Sequence, residues 1–320
     1  MTQQSPGRPL VSKAVTYTGR GGYEVIRVLD RTVRPPGTGE IRIAVSAAAV
    51  NPTDMGLRER GFGDPASVLV PGMDAAGIIE SIGPGVSRLQ AGQKVMAAVM
   101  PRRPEGGAQA QHIVVPAASV VPIPTGASLT EACTLPMNGL TALRALELAG
   151  LGKGQYLAVS GGAGLLAHYA IAAAKRQGLR VIADAKPEEA HLVRSYGADV
   201  VVERGGAFAQ AIRREVPAGV DALLDTALLG EQSFGAICDG GVYIPVRGWS
   251  DKPGEREIRI KPVLVSEVLE RTGWLELLRE MVAAGQIRLR VAGEYTPEHT
   301  AAAQRALAAG GLRGRPVLLF

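Results

Sequence analysis

In the second half of the chain, strand-length apolar runs alternate with helix-length segments. Residues 156–160, 180–184, 199–202, 220–226 and 241–247 read as strands, and 164–177, 187–196, 206–215 and 230–238 as the helices between them. Alternation at this spacing implies a parallel sheet covered on both faces. Residues 1 to 125 have a different rhythm, with no long helical period. Short β-like runs (Glu40–Val50, Ala75–Ile82, Lys94–Val99, Gln111–Val115) are separated by Pro35-Pro36-Gly37, Pro71-Gly72, Gly83-Pro84-Gly85 and Gly106-Gly107. That is the pattern of an antiparallel, barrel-like domain with tight turns. After Pro122-Ile123-Pro124 a single helix is predicted over Leu129–Ala149, with Ser128 or Thr130 as its N-cap and Gly150 as its stop. The tail predicts a helix at 266–284, a strand at 288–293, a helix at 297–309 and a last strand, Pro316–Phe320. The expected organisation is therefore α/β in two domains. Residues 1–125, completed by 266–320, form the first, and 126–265 form the second.

The richest stretch is Gln155–Ala185, an apolar strand, a glycine turn, an alanine-rich helix and a second apolar strand. Gly162-Ala163-Gly164-Leu165-Leu166-Ala167 fits G-x-G-x-x-G/A in the strand–turn–helix context that gives the match meaning. Glycine permits the tight turn and lets backbone N–H groups approach a pyrophosphate. The helix start presents unpaired N–H groups and positive dipole to that anion. Gly162, Ala163, Gly164, Leu165 and Leu166 are thus candidate cofactor contacts. The two leucines make this turn bulkier than a glycine-only one.

Composition narrows the classes. Hydrophobic residues are 46% and charged residues 20%, ordinary for a globular protein. Aromatics are only 4%, so the core must rest on Ala, Val, Leu and Ile. The net charge is +5, but arginine is spread rather than blocked, which argues against nucleic acid as a partner. Cys133 and Cys238 lie in apolar surroundings and form no C-x-x-C pair, so neither a zinc knuckle nor a disulfide framework is expected. The start, MTQQSPGRPL, lacks a signal-peptide core, and no apolar run is long enough to span a membrane. The expected setting is the cytoplasm. Ser160-Gly161-Gly162 is no nucleophile elbow, and the four histidines lack triad context, so a hydrolase is disfavoured.

The chain resembles the medium-chain dehydrogenase/reductase superfamily, in its zinc-independent quinone oxidoreductase branch. The resemblance rests on Gly39-Glu40-Ile41-Arg42-Ile43, Val50-Asn51-Pro52-Thr53-Asp54, Pro71-Gly72-Met73-Asp74-Ala75-Ala76-Gly77 and Gly139-Leu140-Thr141-Ala142. The glycine turn, Gly197-Ala198-Asp199, Gly219-Val220-Asp221 and Gly314-Arg315-Pro316-Val317-Leu318 extend it over nearly the whole length. It implies a GroES-like β-barrel domain built from both chain ends, packed on a Rossmann domain with the nicotinamide in the cleft. It also implies a homodimer joined through the Rossmann sheet edge, at Asp239–Val246 or the segment after it. Asn51 would sit beside nicotinamide and substrate, the alternative being an Asx-turn residue before Pro52. Asp54 would anchor that loop. Thr141 would contact the nicotinamide end, the alternative being a helix-interior threonine bonded to its own backbone.

Asn51 and Met73 stand where zinc-dependent members carry cysteine and histidine, and neither suits tetrahedral zinc, so no metal is expected. The segment Arg58–Gly63 lacks the tyrosine of the superfamily's enoyl-thioester reductases. The implied activity is NADPH-dependent hydride transfer to a small molecule, a quinone or conjugated carbonyl. The alternatives are an enone or ketone reductase tailoring a secondary metabolite, and a cofactor-bound protein with little turnover.

Cofactor choice turns on the end of the second Rossmann strand, where NAD-specific members carry an acidic residue. In register that position is Ala185, followed by Lys186, and Arg204 follows the third strand; both cations favour the 2′-phosphate of NADPH. If the register slips by one, Asp184 becomes the ribose ligand and NADH is preferred. Thr226 and Val246-Arg247 follow the fourth and fifth strands, where such folds place ligand contacts. Phe62, Trp249 and Tyr243 are candidate apolar walls of a substrate pocket.

Overall fold

The computed structural model describes residues 8–64, 67–249 and 254–320, so residues 1–7 of the amino-terminal stretch considered above lie outside it. The chain divides into two compact units, 8–137 with Leu269–Phe320, and Asn138–Val268.

The first unit runs β1 (Leu10–Tyr17), β2 (Ile26–Val33), β3 (Glu40–Ala49), α1 (Pro52–Arg60), β4 (Asp74–Ile82), β5 (Lys94–Ala98), β6 (His112–Pro116), β7 (Val120–Pro122) and α2 (Leu129–Ala132), followed by α3 (Pro136–Ala149), which leads into the second unit. β1 and β2 pair as an antiparallel ribbon. β3 is the hub of the larger sheet: it pairs antiparallel with β4 and with β6. Its register against β4 shifts twice, between Arg42 and Ile43 and between Val45 and Ala47, as bulges do when a sheet curls. Gly77 on β4 makes that approach possible, because a Cβ there would lie 2.1 Å from the Ala44 carbonyl oxygen. The core is small and aliphatic, with Ile41, Ile43, Ile79, Val95 and Ile113 buried among alanines.

The expected single helix over 129–149 is two. Ser128 caps α2, its Oγ accepting from Glu131 N–H at 3.1 Å while Glu131 Oε2 accepts from Ser128 N–H at 2.9 Å. The break falls at 133–135 because Pro136 has no N–H to donate and its ring would clash with the carbonyl four residues back. No helix is expected from the rhythm of the first 125 residues. The structure forms α1 there, with Asn51 as N-cap, Pro52 in the first turn and Asp54 accepting from Asn51 N–H at 2.8 Å.

The second unit continues with β8 (Tyr156–Ser160), α4 (Leu165–Arg176), β9 (Arg180–Ala185), α5 (Ala190–Ser195), β10 (Val200–Glu203), α6 (Phe208–Glu215), β11 (Val220–Asp225), β12 (Ile237–Pro245) and β13 (Arg259–Ile260). All its pairings are parallel, in the order β10-β9-β8-β11-β12-β13. Numbered from its own first strand this is 3-2-1-4-5-6, the doubly wound Rossmann order, with its switch point between β8 and β11. The segment 230–236 is a 3-10 helix rather than the first part of an α-helix, because the strand pairing begins at Ile237, opposite Val220. Asp239–Val246 is no free edge: β12 pairs within the chain with β13 through Val242 and Tyr243. Of the segment following β12, residues 250–253 lie outside the described residues.

The tail returns to the first unit as α7 (Thr272–Ala283), β14 (Val291–Tyr295), α8 (Thr300–Ala308) and β15 (Arg315–Leu319). β15 pairs antiparallel with the end of β3, Val317 opposite Ala49, and so completes the sheet from the other chain end.

Candidate functional site

The glycine turn sits between β8 and α4, beside the switch point. Gly161 has φ +70°, and a Cβ there would lie 2.8 Å from Thr226 Oγ1. At Gly162 a Cβ would lie 2.6 Å from the Asp184 carbonyl oxygen. The left-handed residue is thus Gly161, one position before the fingerprint match. Gly164 is the N-cap and brings no side chain over the helix start. Leu165 is 2% exposed and Ala167 is buried, so both pack inward; Leu166 is half-buried. The first intrahelical bond runs from His168 N–H to Gly164 O, and Gly164 N–H donates to Gly161 O at 2.9 Å, so the N–H groups of residues 165–167 lie in the first turn ahead of the i to i−4 ladder.

Asp184 braces this turn. Its Oδ1 accepts from Gly161 N–H in a short hydrogen bond and from Gly162 N–H at 3.3 Å, and its carbonyl accepts from Gly162 N–H at 3.0 Å. The side chain is 3% exposed, and Arg204 Nε lies 3.9 Å from Oδ2. Burial raises its pKa, opposed by the Gly162 and Gly161 N–H groups and by the Arg204 charge. Ala185 is buried, whereas Lys186 and Arg204 are exposed at the carboxyl ends of neighbouring strands. Arg204 N–H donates to Ala185 O at 2.9 Å, so the two cations flank one strand end. A recess of about 500 Å³ opens beside Arg204, lined also by Glu203, Gly205, Gly206 and Arg214.

Across the switch point, Asp225 organises the end of β11. It accepts from Ser160 Oγ at 2.6 Å, Tyr243 Oη at 2.7 Å and Gly230 N–H at 2.9 Å. Thr226 Oγ1 donates to Ser160 O at 2.6 Å, so its hydroxyl ties β11 to β8. Burial and the bond to Asp225 raise the Tyr243 phenol, which stays neutral. Leu228, on the loop beyond, is 43% exposed with φ +61°, a costly conformation for leucine. Val246 is half-buried and Arg247 exposed after β12. Trp249 packs against Tyr243 and Phe234, with ring centroids 5.1 and 5.7 Å away, in the unit's own core. Thr141 lies buried on α3.

In the first unit, Asn51 sits in a polar network whose members Asn51, Asp54, Asp74 and Gln109 are buried and whose Arg315 is half-buried. Its Nδ2 donates to Asp74 Oδ2 at 2.7 Å, and its Oδ1 accepts from Arg315 Nε at 2.9 Å. Asp74 Oδ1 also accepts from Met137 N–H at 2.6 Å. Asp54 accepts from Gly72 N–H at 3.0 Å and from Gln109 Nε2 at 3.1 Å, besides Asn51 N–H. Burial pushes both carboxyls up to about 7, against these donors and the Arg315 charge. Cys133 is fully buried, and burial, with Asp74 nearby, holds its thiol protonated. Phe62 is apart from this network, 43% exposed, with the Arg102 guanidinium 4.8 Å from its ring centroid. The sequence motifs contained Asp74 and Arg315, but nothing local marked them as Asn51's partners.

A GroES-like unit and a Rossmann unit in one chain define a two-unit dehydrogenase and reductase fold. The alcohol dehydrogenase GroES-like domain family matches residues 37–125, and the zinc-binding dehydrogenase family matches 196–318. A 2-methylene-furan-3-one reductase of Solanum lycopersicum is 30% identical over 80% of this chain and 67% of its own length. The chloroplastic NADPH-dependent alkenal/one oxidoreductase of Arabidopsis thaliana is 29% identical over 78% of this chain and 66% of its own. The match therefore spans about two thirds of each of these relatives. The solved human synaptic vesicle membrane protein VAT-1 homolog-like protein superposes with a TM-score of 0.82 at 25% identity, covering 97% of this chain and 98% of that one. The chain belongs to the medium-chain dehydrogenase/reductase superfamily.

The zinc that one family's description implies does not fit the residues here. Both ends of the Asn51 amide are engaged, Met73 offers a thioether, and Cys133 is held as a buried thiol bonded to Thr130 O at 3.2 Å. Among the described residues no cluster of three or more His, Cys, Asp or Glu could hold a metal. No described helix is long and apolar enough to cross a membrane.

Proposed function

We propose that the protein is an NADPH-dependent, zinc-free reductase that delivers hydride to a quinone or to a conjugated enone or alkenal. The observation that carries this reading is the glycine turn at the switch point, closed to any Cβ at Gly161 and Gly162 and leading into a helix whose N-cap, Gly164, places no side chain over its start. When bound, the cofactor supplies hydride from its nicotinamide ring. The rest is positioning by this chain. Gly161–Gly164 make room for the pyrophosphate, and Lys186 and Arg204 pair with the 2′-phosphate. The recess beside Arg204 takes the adenosine end, and Thr141 meets the nicotinamide end. A reduced quinone takes its protons from water and needs no tyrosine donor. The NADPH-dependent alkenal/one and furanone reductases among the relatives support the acceptor class. A homodimer through the Rossmann sheet would use β13, the strand at its carboxyl-side edge.

The test is fluorescence titration of the purified protein with NADPH and NADH. NADPH should bind at least about tenfold more tightly, and Lys186→Ala should cost about tenfold in NADPH affinity while leaving NADH unchanged. Oxidation of NADPH with a panel of quinones and enones then reads the acceptor. Failure of both cofactors to bind overturns the proposal.

A further inference from the structure

The buried network around Asn51 has a feature that the reductase reading does not use. Asn51, Asp54 and Asp74 are each at most 1% exposed, and two carboxylates lie together without water access. Burying two like charges is costly unless a cation and hydrogen bonds compensate. The cation is Arg315, from β15 at the far end of the chain. Its Nε can only donate. That donor fixes the Asn51 amide in one orientation, oxygen toward β15, which leaves the nitrogen to donate to Asp74 on β4. The Arg315 charge acts on both Asp54 and Asp74. The Cys133 thiol and the Tyr17 phenol nearby are both held protonated by burial, and the buried Arg58 cation acts on Tyr17 and bonds Gln304 at 3.1 Å.

We propose that Arg315 is the built-in cation of this pocket. Its guanidinium takes the electrostatic place that zinc holds in metal-dependent relatives, locks the orientation of Asn51, and makes the pocket refuse divalent metal. The β15–β3 pairing is what delivers it, Val317 lying opposite Ala49 two residues before Asn51. The carboxy-terminal strand is thus a positioning element for the Asn51 loop as well as a sheet strand. A fixed guanidinium suits the task because its charge persists at any working pH and its planar N–H groups are directional.

The experiment needs neither cofactor nor substrate, so its result stands apart from the NADPH reading. Wild-type protein is dialysed against zinc and against cobalt, and bound metal and Tm are measured; less than about 0.1 equivalent and no shift in Tm are expected. At pH 8, where both carboxyls are ionised, Arg315→Gln should melt about 5–10 °C lower, because the buried carboxylate pair loses its counter-ion. Arg315→Lys should regain at least half of that loss, since it restores charge. The double variant Asp74→Asn with Arg315→Gln should also recover, and it covers the case in which Arg315→Gln alone does not fold. There the hydrogen-bond chain can reverse, Asn at 74 donating to Asn51 Oδ1 and Asn51 Nδ2 donating to Gln at 315. One equivalent of zinc on the wild type, Arg315→Gln melting with wild type, or Lys and the double variant rescuing nothing would each overturn the proposal.

Discussion

Asp184 shows how much a single side chain's direction decides. One residue before Ala185, it faces inward and accepts from the N–H groups of Gly161 and Gly162. Its effect should therefore be blind to the 2′-phosphate. Asp184→Ala leaves the Gly161 N–H without its acceptor, while Gly162 N–H keeps the Asp184 carbonyl, at a cost of about 1–3 kcal/mol. We expect NADPH and NADH affinities to fall by the same factor, about tenfold, in parallel titrations. Selective loss of NADH would instead make Asp184 the ribose ligand. Period two in a strand already implied opposite faces for Asp184 and Ala185. What rhythm could not supply was the acceptor role, because the donors come from a turn more than twenty residues earlier.

At the scale of the element, the β8–turn–α4 unit was readable almost residue by residue. Strand, turn and helix have distinct local signals, and all the physics of the turn is short-range. The exception is which glycine carries the positive φ. Three stand at 161, 162 and 164, and only packing against Thr226 and Asp184 separates their roles. Gly162→Ala tests this directly. Its Cβ would meet backbone, which cannot rotate away, so a loss of about 1–3 kcal/mol is expected in thermal unfolding of the Rossmann unit. An alanine variant as stable as wild type would mean the turn relaxes freely. The helix α1 was missed although Asn51-Pro52-Thr53-Asp54 carries an N-cap, a first-turn proline and a reciprocal carboxylate. A nine-residue helix with little apolar periodicity is invisible to pattern and visible only to capping chemistry. The break at Pro136 carried its own signal, a proline inside a helical stretch.

For the whole molecule, the buried pair Asp54 and Asp74 sets a pH dependence with a definite sign. Their folded pKa values are raised to about 7, above the value near 4 expected in an unfolded chain. Between those values the folded state holds more protons than the unfolded one. Stability should then fall as pH rises from about 4 to about 7 and level off above. Glu40 and Asp199, whose pKa values are lowered, act with the opposite sign and only below their ordinary range. Calorimetry of the wild type from pH 4.5 to 8 checks this; a Tm that climbs through that window would show that the two carboxyls stay ionised when buried.

Local sequence by itself determined the glycine turn, the parallel strand–helix alternation and the β-rich first unit, because each rests on short-range periodicity or on residues with special backbone freedom. Only tertiary structure decided that Asp184 braces the turn, that Trp249 belongs to a core and that β12 is covered by β13. It alone also brought Arg315 to Asn51, across 264 residues of chain. Those are matters of side-chain direction and long-range juxtaposition, and a linear pattern carries neither.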